Sequence, residues 1–179
     1  MAGITLITGG CRSGKSRHAQ QLAQQAGRRR LFIATAPVLD AEMRERVERH
    51  REMRRGRKWE TVEEQTDLPG SLRRAADFDV VLCDCLTLWV NNLLFAADKS
   101  GVVIDEDHIM KLSRELCDAA GSVPAGVFFV TNEVGMGIVP ENDLSRRYRD
   151  LVGRCNQEIA AVADSVVLMV SGIPIQVKG

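Results

Sequence analysis

Gly9-Gly10-Cys11-Arg12-Ser13-Gly14-Lys15-Ser16 fits the pattern G-x-x-x-x-G-K-[ST] of a phosphate-binding loop. The residues before it, Ile4-Thr5-Leu6-Ile7-Thr8, are β-branched and apolar and read as a buried strand. Those after it, Arg17 to Ala26, read as a helix. The motif therefore has the strand-then-helix context that separates it from a chance glycine-rich turn. Glycines let the main chain curl until successive N–H groups face phosphate oxygens, and the helix N-terminus adds positive potential. Lys15 is placed to reach the β- and γ-phosphates, and the Ser16 hydroxyl to ligate Mg²⁺. The loop implies a bound nucleotide without specifying a reaction.

Outward from the loop, strand and helix periods alternate. Leu31-Phe32-Ile33-Ala34 reads as a second buried strand, ended by Pro37. Asp40 is placed to cap a helix reaching about Met53, with Leu39, Met43, Val47 and His50 on one stripe and Gly56 beyond it. Trp59 to Val62 reads as a short extended piece, Leu72 to Ala76 as a short helix, and Val80 to Asp84 as a strand with an acid at its end. Helices follow over Leu86–Ala96 and Asp105–Ala120, then a strand over Gly126–Thr131 and a loop over Asn132–Pro140. A long amphipathic helix covers Leu144–Ala163. Val166–Val170 and Ile173–Val177 form a hairpin about Gly172. The expectation is one α/β domain over residues 1–179: a three-layer fold of the P-loop NTPase type, with a mainly parallel sheet and a C-terminal antiparallel hairpin. There is no internal repeat, low-complexity tract or linker.

Composition supports that class. The chain has 179 residues, 45% of them hydrophobic, enough for a sizeable core. Lys plus Arg and Asp plus Glu number 24 each, so net charge gives no reason to propose nucleic acid or a membrane surface as partner. No apolar run reaches the ~18 residues of a membrane span, and no signal peptide is visible. Five irregularly spaced cysteines fit reduced thiols in a cytoplasmic protein.

A second constellation accompanies the loop. Phosphate loops work with an acid that organises Mg²⁺, usually at the end of an apolar strand, and Asp84 follows four apolar residues. Its other reading is an N-cap for the helix at Leu86. Strand alternation places Cys83 and Cys85 together on the opposite face, as small core residues. Residues 44–58 hold eight basic residues against three acids. Glu42–Arg46 and Glu45–Arg49 are good i,i+4 pairs, as on a solvated helix face. His50 lies within this cluster and reads either as a boundary residue of the apolar stripe or as a catalytic group. His18 and His108 read as exposed helix residues, Trp59 and Trp89 as packing.

Several stretches resemble one known family. They are Thr8–Arg17, Ile33–Ala36, Asp40–Met43 with His50, Thr131–Asn142 and Val170–Ile173. Thr131-Asn132-Glu133-Val134-Gly135-Met136-Gly137-Ile138-Val139-Pro140-Glu141-Asn142 is the most distinctive of them. The chain is similar, collinearly over essentially its whole length, to the bifunctional adenosylcobinamide kinase/adenosylcobinamide-phosphate guanylyltransferases of cobalamin biosynthesis. The resemblance implies two reactions. In one, ATP or GTP phosphorylates the aminopropanol hydroxyl of adenosylcobinamide. In the other, GTP guanylylates a histidine, here His50, which passes GMP to the phosphorylated corrinoid. It also implies catalytic Lys15 and metal-binding Ser16 and Asp84. The implied nucleotide contacts are Gly9, Gly10, Cys11, Arg12, Ser13, Gly14, Lys15, Ser16, Ala34, Thr35, Ala36, Arg51, Glu52, Met53, Arg54, Glu63 and Asp84. A homotrimer is implied by the same analogy. Cys11 stands where alanine is common, and Asp84 where glutamate also occurs. Without the resemblance, the nearest rival is another small-molecule kinase, which would have no use for His50. A nucleotide-dependent regulatory switch is the rival of another class, and nothing in the sequence marks a partner surface for it.

Overall fold

Apolar, β-branched strands separated by amphipathic helices can bury both kinds of surface only by stacking helices on each face of a sheet. The computed structural model has this arrangement. It describes residues 3–37 and 58–179, with Glu45, Glu48, Glu52 and Gly56 between them. In chain order the elements are β1 (Ile4–Gly9), α1 (Lys15–Ala26), β2 (Arg30–Ala34), β3 (Trp59–Glu63), α2 (Leu68–Arg73) and β4 (Val80–Asp84). They continue with α3 (Leu86–Lys99), α4 (Glu106–Ser122), β5 (Gly126–Val130), α5 (Asp143–Val162), β6 (Ser165–Val170) and β7 (Ile173–Lys178). The helix expected from Asp40 to Met53 lies outside the described residues except at Glu45, Glu48 and Glu52, which are helical and exposed.

The seven strands form one sheet in the order β3-β2-β4-β5-β1-β6-β7. Every pairing is parallel except β6 with β7. The β6–β7 turn has Ser171 at φ 51° and Gly172 at φ 86°, the positive pair of a tight hairpin turn. Alternation along the strands sorts the core into two layers. Ile7, Phe32, Leu82 and Phe128 face α1 with its Ala19 and Ala23. Leu6, Ile33, Val81 and Phe129 face the other helices, through Leu72, Trp89, Leu116 and Leu151. One register row runs across the sheet near its C-terminal edge through Glu63, Ala34, Asp84, Val130 and Ile7. The β1–α1 loop and Asp84 stand at that edge of the sheet.

The structure corrects three expectations. The short helix is Leu68–Arg73 and not 72–76, because Asp67 accepts the Gly70 N–H and Pro69 occupies the first turn, fixing an earlier start. Cys85 does not share a face with Cys83: Cys83 packs among the α3–α5 layer, whereas Cys85 packs with the α1 layer. The strand ends at Asp84, so its two-residue period no longer governs the next residue. His18 is half-buried, since its side of α1 overhangs β6 and β7, where it lines a cavity with Leu22, Phe128, Val167 and Pro174. Burial holds its imidazole pKa below the ordinary value. His108 is exposed, as expected, against Asp105.

Candidate functional site

The loop between β1 and α1 is a main-chain cradle. Gly9 has φ +147°, and a Cβ there would stand 2.4 Å from the Met169 carbonyl oxygen, so only glycine fits. Gly14, at φ 95°, turns the chain into α1. Arg12 is also in the positive region, at φ 55°. Within the loop, Ser13 N–H donates to Gly10 O at 3.3 Å, and Lys15 Nζ donates to the same oxygen at 2.6 Å. The hairpin braces it from outside, with Gly172 N–H donating to Ser13 O at 2.9 Å. The N–H groups of Cys11, Arg12, Gly14 and Ser16 make no hydrogen bond to a described residue. The Ser13 hydroxyl is buried with no partner among the described residues. Orphaned donors in a closed curl are what a phosphate group would complete. Cys11 is an exposed free thiol and Ser16 is half-buried at the head of α1.

Two strands away, β4 delivers Asp84 to the same edge. Its side chain is half-buried and has no hydrogen bond or ion pair with a described residue. The N-cap of α3 is Cys85, without a side-chain capping bond, so the capping alternative for Asp84 does not hold. The Cys85 thiol that follows Asp84 is buried. Burial first, and the Asp84 charge second, push that thiol's pKa up. Among the described residues no group of three or more His, Cys, Asp or Glu side chains could hold a metal. Ser16 with Asp84 matches the sparser ligation of Mg²⁺ in nucleotide sites, where phosphates and water complete the shell.

The remaining expected contacts lie along the same edge. Ala34 and Ala36 are half-buried and Glu63 is exposed. Thr35 is fully buried, and its hydroxyl accepts the Cys85 N–H at 2.7 Å and donates to Cys85 O at 2.8 Å. Its N–H donates to Asp84 O, and its carbonyl accepts from Asn92 Nδ2. Thr35 is thus a tie between β2 and β4. Glu63 and Ile7 stand four strands apart on the register row, roughly 19 Å at the usual strand spacing. His50, Arg51, Met53 and Arg54 lie outside the described residues, and Glu52 is helical and exposed.

Comparison with known proteins decides the family. Residues 5–177 match the family model described as cobinamide kinase / cobinamide phosphate guanyltransferase. The chain belongs to this family. A protein of Escherichia coli (strain K12) named "Bifunctional adenosylcobalamin biosynthesis protein CobU" is 46% identical, covering 98% of this chain and 99% of the relative. The Salmonella typhimurium protein of the same name is 43% identical over 98% and 99%. A Pseudomonas aeruginosa protein, "Bifunctional adenosylcobalamin biosynthesis protein CobP", is 42% identical over 97% and 96%. Among solved structures, the P4 protein from bacteriophage phi6 in complex with ADP aligns with TM-score 0.48 and 16% identity, covering 97% of this chain and 52% of that one. The family is one of bifunctional enzymes, kinase and guanylyltransferase.

Sequence reading passed over one part of this edge as a source of site residues. Asn132, just past β5, sits beside the loop, and Thr87 lies in the first turn of α3, just past Asp84. The available signal for Asn132 was the one that found Asp84: a polar residue just past the end of an apolar strand. No local signal marks Thr87.

Proposed function

We propose that this chain phosphorylates adenosylcobinamide with ATP or GTP and then transfers GMP from GTP to the product, giving adenosylcobinamide-GDP in cobalamin biosynthesis. Family membership supports the pair of activities. The observation that carries the chemistry is the half-buried Asp84, without a described partner, set two strands from a loop of orphaned donors. In the kinase step the loop N–H groups and Lys15 hold the triphosphate while the corrinoid hydroxyl attacks the γ-phosphorus and the bridging bond to the β-phosphate breaks. Ser16 and Asp84 would hold Mg²⁺, which neutralises charge on the β- and γ-oxygens. In the second reaction an imidazole nitrogen of His50 attacks the α-phosphorus of GTP, and pyrophosphate leaves. A phosphate oxygen of the phosphorylated corrinoid then attacks the guanylyl phosphorus, and the P–N bond breaks. Arginines among residues 44–57 disfavour the imidazolium, which keeps the nucleophile available near pH 7. The contacts carried by the family resemblance, from Gly9 to Ser16, Ala34 to Ala36, Arg51 to Arg54, Glu63 and Asp84, are assigned to the nucleotides. A cytoplasmic homotrimer is the corresponding assembly. Among the described residues no helix is long and apolar enough to cross a membrane.

The test is incubation with GTP labelled at the α-phosphate. The expected result is protein-bound label that is stable to alkali and lost in acid, and that His50→Ala abolishes while corrinoid phosphorylation continues. Label retained by His50→Ala, or mapped to His18 or a lysine, overturns the histidine assignment. Loss of both reactions together in His50→Ala would make His50 a structural residue.

A further inference from the structure

The C-terminal edge holds a polar chain that the reactions above do not use. Thr131 N–H donates to Ile7 O at 3.0 Å and Glu133 N–H donates to Gly9 O at 3.1 Å, so Asn132 lies alongside the start of the phosphate loop. On its other side, Asn132 Nδ2 donates to Thr87 Oγ1 at 2.8 Å, reaching the first turn of α3, three residues beyond Asp84. Asn132 is therefore placed between the loop and the acid. It is also held unusually firmly. Its main-chain carbonyl accepts from Asn156 Nδ2 at 3.2 Å, and Asn156 Oδ1 accepts from the Thr131 hydroxyl at 2.7 Å. Thr87 is fixed in turn. Its hydroxyl meets Cys85 Sγ at 3.0 Å, and its carbonyl accepts from the Tyr148 hydroxyl at 3.1 Å. Thr87 is 2% exposed, so the anchor is dry and the amide orientation is set.

The amide oxygen is different. Asn132 Oδ1 accepts no hydrogen bond from a described residue, whereas the Nδ2 of the same amide and the main-chain carbonyl are both engaged. A half-buried amide oxygen, held in one orientation beside a phosphate loop, has the chemistry to accept a hydrogen bond from a hydroxyl. We infer that Asn132 is a catalytic residue of the phosphoryl-transfer step: its Oδ1 accepts the O–H of the attacking group, alcohol or water, and aligns it with the γ-phosphorus. Thr87 is the positioning residue that holds the amide. The inference rests on the kinase reading above. In the step, the attacker's oxygen bonds to the γ-phosphorus and the γ-phosphorus–bridging-oxygen bond breaks. The nucleoside diphosphate leaves, and the attacker's proton passes to an oxygen of the transferred group and on to solvent. The amide takes no proton, so its contribution is orientation.

The experiment measures two quantities in the full chain: the dissociation constant of a non-hydrolysable GTP analogue, and single-turnover γ-phosphate release from GTP to the corrinoid and, separately, to water. Asn132→Ala is expected to slow γ-phosphate release to both acceptors about a hundredfold, with analogue affinity within about threefold of wild type. Thr87→Val is expected to slow it about tenfold, and Thr87→Ser, which keeps the hydroxyl, to restore it. A rate for Asn132→Ala within about threefold of wild type overturns the inference, as does loss of rate and analogue affinity in step. Thr87→Ser as slow as Thr87→Val overturns the positioning role. Should the wild type release phosphate to water but never to the corrinoid, the substrate assignment fails while the water reaction still reports on Asn132.

Discussion

Two strand-to-helix turns stand two strands apart on the same edge of one sheet, and they solve opposite problems. The β1–α1 turn is long, rich in glycine, and leaves the N–H groups of Cys11, Arg12, Gly14 and Ser16 without described partners. The β4–α3 turn passes from Asp84 through Cys85 straight into the helix and engages its polar main chain completely, with Thr35 bonding both the N–H and the carbonyl of Cys85. The first turn offers main chain to an anion. The second offers a single side chain, the Asp84 carboxylate, and keeps everything around it rigid. A nucleotide site needs both kinds of group, and the sheet register brings them together.

Substitutions can break this division. Gly9→Ala attacks the first turn where it has no slack. The added methyl meets a backbone oxygen, so a stability loss of about 3–5 kcal/mol is expected, with triphosphate binding lost. Chemical denaturation and analogue titration measure both, and a folded, binding-competent Gly9→Ala would show that the loop does not need its present curve. Asp84→Asn changes the second turn by one charge. It should leave stability near wild type and reduce phosphoryl transfer by about 3 kcal/mol of transition-state free energy, read as kcat at saturating nucleotide. An equal loss of stability would make Asp84 a structural group. Thr35→Val removes the tie and leaves the Cys85 N–H buried without its partner, while the Cys85 carbonyl keeps the Trp89 N–H, at about 2 kcal/mol of stability. Its effect on kcat should be smaller than that of Asp84→Asn, and a larger one would move Thr35 from scaffold to site.

How much of this was legible depends on the range of the interaction. The phosphate loop was legible because strand, glycines, Lys15 and helix are contiguous. Asp84 was legible because the strand before it is apolar. The hairpin about Gly172 was legible for the same local reason. The strand order was not, since β1 comes to lie between β5 and β6 through contacts with the far end of the chain. Thr35 is carried as a nucleotide contact by the family resemblance, and no local signal marks its tie to Cys85 across the sheet. His18 reads as exposed because the overhang of β6 and β7 beside α1 is a tertiary fact. The chain from Thr87 through Asn132 to Asn156 joins three separate elements, and no spacing rule connects them. His50 is proposed from family resemblance together with its basic neighbourhood, and it lies outside the described residues.

The bond from Gly172 to Ser13 and the close passage of Met169 over Gly9 have a consequence for biogenesis. The ribosome makes the phosphate loop well before the hairpin that fixes its curvature. Contacts between such distant segments form slowly, because a long loop must close before they are rewarded. A nascent chain displaying Gly9 to Ser16 thus has the letters of a phosphate site without its shape. Nucleotide affinity should therefore arise only when the hairpin docks on the loop.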